Sequence, residues 1–260
     1  MYKTKNYRAR DLEETFADIE DAARDWPEAH RVFLADGDAL NLPFDHLMAI
    51  LEKLGDTFPN LQRVSCYATP VNLLKKTEPQ LEVLKRLRLN LVYIGIESGS
   101  GEMMKRITKG ASERSMTAAL QKAASVGLKT SATIILGLGG KTRWQEHIDG
   151  TVDLVNTAPP TFLSTLQLGL EENVHDRFMQ RFRRKGEAFE WQSDEAILYE
   201  LHRLVDGLLP PRPVIFRSNH ASNALALAGN LPRDKPRLLK EIEAALSGQK
   251  TLRPRFLRGL

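Results

Sequence analysis

Cysteine is nearly absent from this chain: Cys66 is the only one in 260 residues. A single thiol excludes a disulfide and any all-cysteine metal site built within the chain. The six histidines are scattered without a close pair, and no HExxH-like arrangement occurs. No apolar run approaches the ~18 residues a membrane span needs, so a soluble protein is expected, with no membrane partner. The polar N-terminus has no apolar signal core, which points to the cytoplasm.

Charge of one sign is also scarce. The net charge is +4, and Lys250, Arg253, Arg255 and Arg258 of the acid-free tail 247–260 equal that whole excess. Residues 1–246 are therefore neutral overall. A second basic cluster, Arg181-Phe182-Arg183-Arg184-Lys185, is offset by acids elsewhere. Such a tail reads as a solvated end, and nucleic acid is not an expected partner.

What is present is alternation, in a chain long enough for one barrel-like domain or two small ones. Apolar, β-branched runs start near residues 31, 62, 91, 130 and 162, with helical patterns between them. Leu47, Ile50, Leu51 and Leu54 mark one helix face that Gly55 can end. Asn41 and Pro43 resemble the cap and first turn of that helix. Thr77 with Gln80, and Thr142 with Gln145, resemble capping boxes. Ser112 and Ser193 can cap later helices, and Gly127 can end the one after Ser112. Leu12, Phe16, Ile19 and Ala23 share a face of a first helix with no strand ahead of it. The pattern predicts repeated βα units with strands buried on both faces. After residue 208 it changes, and residues 209–260 read as an appendage packed on a domain spanning residues 1–208.

In parallel α/β folds, sites lie at the C-terminal ends of strands. The first run ends in Asp36-Gly37-Asp38, the second in Tyr67 to Pro70 with Asn72, the third in Glu97-Ser98-Gly99-Ser100-Gly101. The fourth ends in Gly137-Leu138-Gly139-Gly140. Each has a plain reading: Asp-Gly makes ordinary turns, Glu97 can cap the next segment, and Cys66 reads as a small core residue. Together, two carboxylate sites and two glycine loops describe a cradle for a polar ligand carrying amine and hydroxyl donors and a flat ring.

The order FLADGDAL, VYIGIESGS and IILGLGG resembles the radical S-adenosylmethionine (radical SAM) enzymes, in particular the subgroup with a coproporphyrinogen-oxidase and Elp3 type of core. The resemblance implies a partial (β/α)6 TIM-like barrel, here lacking its first strand, with the short C-terminal appendage. It implies that Asp36, Gly37 and Asp38 meet the methionyl ammonium of SAM, and that Glu97, with Ser98 beside it, meets the ribose. Gly137 and Leu138 would lie by the adenine, with Gln167 at its other edge. Tyr67, Arg217, Asn219, His220 and Asn223 become candidates for the substrate, although the last four could equally satisfy backbone groups of a proline-rich loop.

The family's C-x3-C-x2-C loop, which holds a 4Fe–4S cluster, is missing from this sequence. Met1-Tyr2-Lys3 and the following residues resemble what normally follows that loop, so an N-terminal truncation is expected. No metal ligand is expected in this chain. An intact member would cleave SAM reductively and abstract hydrogen from a small-molecule or unknown substrate, with a flavodoxin or ferredoxin as reductant. Two other readings stay open. One is a non-catalytic module binding SAM or a partner. The other is a (β/α) enzyme that binds a phosphate at Gly137–Gly140 and uses Asp38 and Glu97 as acid and base.

Overall fold

The computed structural model describes residues 8–35, 37–183 and 186–259. Asp36, the opening Met1-Tyr2-Lys3, Arg184 and Lys185 lie outside the described residues. Five parallel-type strands fall where the apolar runs predict them: β1 (Arg31–Leu34), β2 (Arg63–Tyr67), β3 (Leu89–Glu97), β4 (Lys129–Leu136) and β5 (Phe162–Gln167). Two more follow, β6 (Val214–Ser218) and β7 (Leu227–Leu231). The sheet order is the chain order, β1 to β7, and the sheet is not closed. β1 pairs parallel with β2, β2 with β3 and β5 with β6, whereas β7 runs antiparallel to β6.

The helices are α1 (Leu12–Asp25), α2 (Phe44–Thr57), α3 (Pro70–Lys75), α4 (Glu78–Arg86), α5 (Gly101–Arg106), α6 (Glu113–Ser125), α7 (Gly140–Thr157), α8 (Glu172–Arg183), α9 (Asp194–Gly207) and α10 (Lys235–Leu246). The Thr77 capping box is present, with Gln80 N–H donating to the Thr77 hydroxyl and Gln80 Oε1 accepting from Thr77 N–H. Ser112 accepts from Ser115 N–H and Ser193 from Ala196 N–H, as expected. Gly127, just past α6, has φ +68.

Three local expectations fail. Asn41 closes a short 3-10 turn at Ala39–Asn41, and α2 starts behind Pro43 without a side-chain cap. Gly55 lies inside α2, which runs to Thr57. Thr142 is not a cap, because α7 already begins at Gly140. In each case the tertiary setting outweighs a weak local signal.

The chain divides into two compact units, each with its own core. Unit one comprises residues up to Ile94 and Ala118–Ser131. Its core includes Leu47, Leu51 and Leu54 of α2, Val64 and Cys66 of β2, Leu81 and Leu84 of α4, and Val92 of β3, all buried. Unit two comprises Gly95–Thr117 and the residues from Ala132 onward. There α7 and α10 pack on α9, and Met103, Leu138 and Phe182 form a buried cluster with Phe178 and Phe189 against it. Among the described residues no helix is long and apolar enough to cross a membrane.

Candidate functional site

In unit one the chemistry gathers where β1 and β2 end. Asp38 precedes the 3-10 turn without capping it, and its Oδ1 accepts from Asn72 Nδ2 at 2.7 Å. Asn72 is held by the first turn of α3, which Thr69 caps. Buried Lys76 lies close enough to feel Asp38, and burial pulls its ammonium below the usual lysine range while it donates to Leu42 O at 2.8 Å. Cys66 is fully buried, and desolvation, with Asp38 adding to it, pushes its thiol up to about 12. Tyr67 is exposed and packs edge to face with Phe33 at 5.0 Å and with Tyr93 at 6.2 Å.

Unit two carries the other predicted residues. Glu97 has φ +62, and Ser98 N–H bonds back to Ile96 O at 2.8 Å, closing a three-residue γ-turn around it. Such a conformation in a residue with a side chain costs on the order of 1–3 kcal/mol and needs support from its surroundings. The support is local. The Glu97 carboxylate folds over Gly95, where a Cβ would lie 2.1 Å from Oε1, and it pairs with Lys109 Nζ at 2.9 Å. Gly95 therefore leaves the room that the turned-back carboxylate occupies.

Ser98 follows Glu97 just past the end of β3. It is fully buried, with its Oγ 2.8 Å from His147 Nδ1. His147 Nε2 is 3.0 Å from Ile135 O, which can only accept, so the proton is on Nε2 and Ser98 donates to Nδ1. Burial holds this imidazole neutral, pulling it down to about 4.

The glycine segment forms a turn, with Gly137 at φ +83 and a Gly140 N–H to Gly137 O bond of 3.0 Å. A left-handed residue at position 137 favours glycine. Leu138 points its side chain into the Met103–Phe182 cluster, so only its backbone is available to a ligand. Gly137 N–H donates to Glu200 Oε1 at 2.8 Å. Glu200 is completely buried on α9, and burial pushes its carboxyl up to about 7 against the bonds from Gly137 and Gln192.

Gln167 ends β5 with its N–H donated to Asn223 Oδ1 at 2.7 Å, while its side-chain Oε1 is buried with no hydrogen-bond partner. Asn223 also donates to Thr165 O at 2.7 Å and Ser218 Oγ at 3.1 Å, so its amide serves backbone and loop, the alternative weighed for it. Arg217 turns back on Phe216 O at 2.8 Å. His220 bonds Ser222 within its own loop, and Asn219 is exposed. Thus Glu97, Ser98, Gly137, Leu138, Gln167 and the four appendage residues belong to unit two, while Gly37, Asp38 and Tyr67 belong to unit one.

Sequence reasoning missed His147, Gln192, Glu200 and Lys109. Glu200 had a signal: it shares a helix face with Ile197, Leu201 and Leu204, where an acid is out of place. Gln167 Oε1, buried without a donor, and the Glu97 carboxylate, whose Oε1 already accepts from Lys109, suit a ligand rich in N–H and O–H groups, as SAM is. The thiol inventory does not suit a 4Fe–4S cluster. One deeply buried cysteine is present, and no three His, Cys, Asp or Glu side chains among the described residues could share a metal ion.

The family model for the radical SAM superfamily matches residues 1–155. The chain belongs to the radical SAM superfamily. Its fold is similar to coproporphyrinogen III oxidase HemN of Escherichia coli, a radical SAM enzyme, at 15% identity and a TM-score of 0.56 over 75% of this chain and 44% of that one. It is also similar to archaeal Elp3 of Methanocaldococcus infernus, at 13% identity and a TM-score of 0.58 over 92% of this chain and 60% of that one. Methylornithine synthase PylB is similar at 14% identity and a TM-score of 0.53, covering 98% of this chain and 68% of that one. The chain thus spans less than half of the HemN chain and three fifths of the Elp3 chain, which was solved with an N-terminal deletion. No curated protein matches it in sequence.

Proposed function

We propose that this radical SAM chain binds S-adenosylmethionine through its strand ends, as the SAM-binding part of an enzyme of that superfamily. Glu97 carries the reading: a strained, turned-back carboxylate at the end of β3, in the superfamily's ribose position, with Gly95 cleared beneath it. Its oxygens accept from the ribose hydroxyls. The backbone of Gly137 and Leu138 lies along the adenine, and Gln167 Oε1 accepts from the exocyclic amine. Asp36, Gly37 and Asp38 are assigned to the ammonium by their place in the superfamily pattern.

Bound SAM is the superfamily's radical source, and these 260 residues offer no thiolate set for the cluster that acts on it. The activity we assign to them is therefore binding. In an assembly that holds the cluster, a flavodoxin or ferredoxin would be the reductant, and Tyr67, Arg217, Asn219 and His220 remain candidates for contact with a small-molecule substrate. The single buried cysteine favours a second reading, a non-catalytic SAM-binding module. A phosphate at Gly137–Gly140 is disfavoured on physical grounds. The first N–H of that turn is already given to Glu200, and an ionised carboxylate beneath the turn repels an anion.

Calorimetric titration of the chain with SAM, then with a sugar phosphate, tests the assignment. Heat of binding from SAM alone is expected; heat from the phosphate alone would favour the phosphate enzyme.

A further inference from the structure

A carboxylate buried on an apolar helix face is costly unless donors surround it. Glu200, with no exposed surface, has two: Gly137 N–H at 2.8 Å on Oε1 and Gln192 Nε2 at 2.7 Å on Oε2. The same Gln192 nitrogen donates its other hydrogen to Gly140 O at 2.8 Å. Both ends of the glycine turn, its first N–H and its last carbonyl, are thereby tied to one acid. Lys141 N–H adds a bond to Glu190 O at 3.0 Å, from the same segment as Gln192.

The pattern holds only for an ionised Glu200. A proton on Oε1 would face the Gly137 N–H, donor against donor. A proton on Oε2 would face the Gln192 amide hydrogen, and the unfilled acceptor beside it is Gln192 Oε1, which is buried without a partner. Rotating that amide accommodates the proton but withdraws Nε2 from Gly140 O. Either way one end of the turn is released. Burial pushes the Glu200 carboxyl up to about 7, so both states occur near neutrality.

The titratable surroundings are simple. From α7, His147 Nε2 approaches Oε1 at 3.5 Å, but its proton belongs to Ile135 O and it is neutral above about 4. The other titratable and charged groups that α9 shares with its packing helices, Arg203 with Asp149 of α7, and His202 with Glu243 and Asp206 with Lys235 of α10, are on partly exposed side chains.

We propose that Glu200 is a positioning residue for the ligand-binding turn: its ionised carboxylate, acting directly on Gly137 and through Gln192 on Gly140, holds the turn in the shape that accepts SAM. Glu200 itself touches no ligand. The proposal deepens the SAM reading and rests on it.

The experiment pairs SAM calorimetry with NMR amide exchange at Gly137 and Gly140, at about pH 6 and about pH 8, in the wild type, Glu200→Gln and Gln192→Leu. In the wild type, protection of the turn and SAM affinity should both rise toward the higher pH. Glu200→Gln keeps the volume and removes the charge. It should bind SAM about tenfold more weakly at the higher pH, the scale of one charge-assisted hydrogen bond, and lose the pH dependence. Gln192→Leu frees only Gly140 and should keep a pH dependence through Gly137. Wild-type affinity and wild-type protection in Glu200→Gln at both pH values would overturn the proposal. If no variant binds SAM, the functional reading fails. The exchange comparison then decides on the brace alone: pH-dependent protection lost in Glu200→Gln upholds it, and unchanged protection rejects it.

Discussion

His147 Nε2 and Glu200 Oε1 face each other at 3.5 Å with neither side chain exposed. They do not form an ion pair in the middle of the pH range, because each is neutral there. Burial takes the imidazole from an ordinary 6.5 down to about 4 and the carboxyl from 4.5 up to about 7. The two shifts have opposite consequences for stability.

A depressed histidine contributes stability that is present above 6.5 and lost as pH falls toward 4, since the unfolded chain takes the proton first. A raised carboxyl contributes stability that is present below 4.5 and lost as pH rises toward 7. Each is worth roughly 3 kcal/mol over its window. In the wild type the slopes nearly cancel between 4.5 and 6.5. Urea denaturation across that range should find His147→Gln losing stability as pH rises and Glu200→Gln gaining it. Parallel pH profiles in the two variants and the wild type would contradict this assignment of charges.

Gly95→Ala tests the geometry of Glu97 without altering any polar group. The added Cβ would lie 2.1 Å from Oε1 and 2.8 Å from Lys109 Nζ, so the pair must move. Weaker SAM binding, approaching that of Glu97→Ala, is expected with the fold retained by circular dichroism. Wild-type affinity would mean the turned-back conformation is not the binding one.

Asn72 orients Asp38, and its own side chain is buried. Asn72→Ala should lower SAM affinity by a few-fold and cost about 1 kcal/mol of stability, the value of one hydrogen bond. Asp38→Ala should cost more affinity and less stability. Equal, wild-type affinity in both would remove Asp38 from the ammonium position.

Cys66 should behave as core. A thiol pushed up to about 12 by burial is neither a nucleophile nor an iron ligand at neutral pH. A thiol reagent is expected to label it only after unfolding, and anaerobic incubation of the chain with iron and sulfide to leave it colourless. Brown protein with charge-transfer absorption would refute that expectation.

The strand positions were legible because Val, Ile, Leu and Phe cluster in short runs between helical patterns, and β1 to β5 lie on those runs. β6 and β7 were not. Pro210, Pro211 and Pro213 precede the first, and the second reads Leu-Ala-Gly-Asn-Leu, with a pattern too polar to announce a strand. α8 was hidden as well. Its arginines read as a charge cluster, while Phe178 and Phe182, four residues apart, actually anchor it. At the site, Glu97 and the glycine turn could be read from strand ends, since the chain itself places them there. The groups that hold them could not. Glu200 meets Gly137, and His147 meets Ser98, across separations of 63 and 49 residues that only packing closes. An acid among leucines marks a buried role without naming its partner.

The central claim is that this chain binds SAM and that Glu97 takes part. Calorimetric titration of SAM into the 260-residue protein and its Glu97→Ala variant measures it most directly. Saturable binding to the wild type, weakened roughly ten- to a hundredfold in the variant by loss of a charged acceptor, is the predicted result. No binding to the wild type, or equal affinity in both proteins, would contradict it.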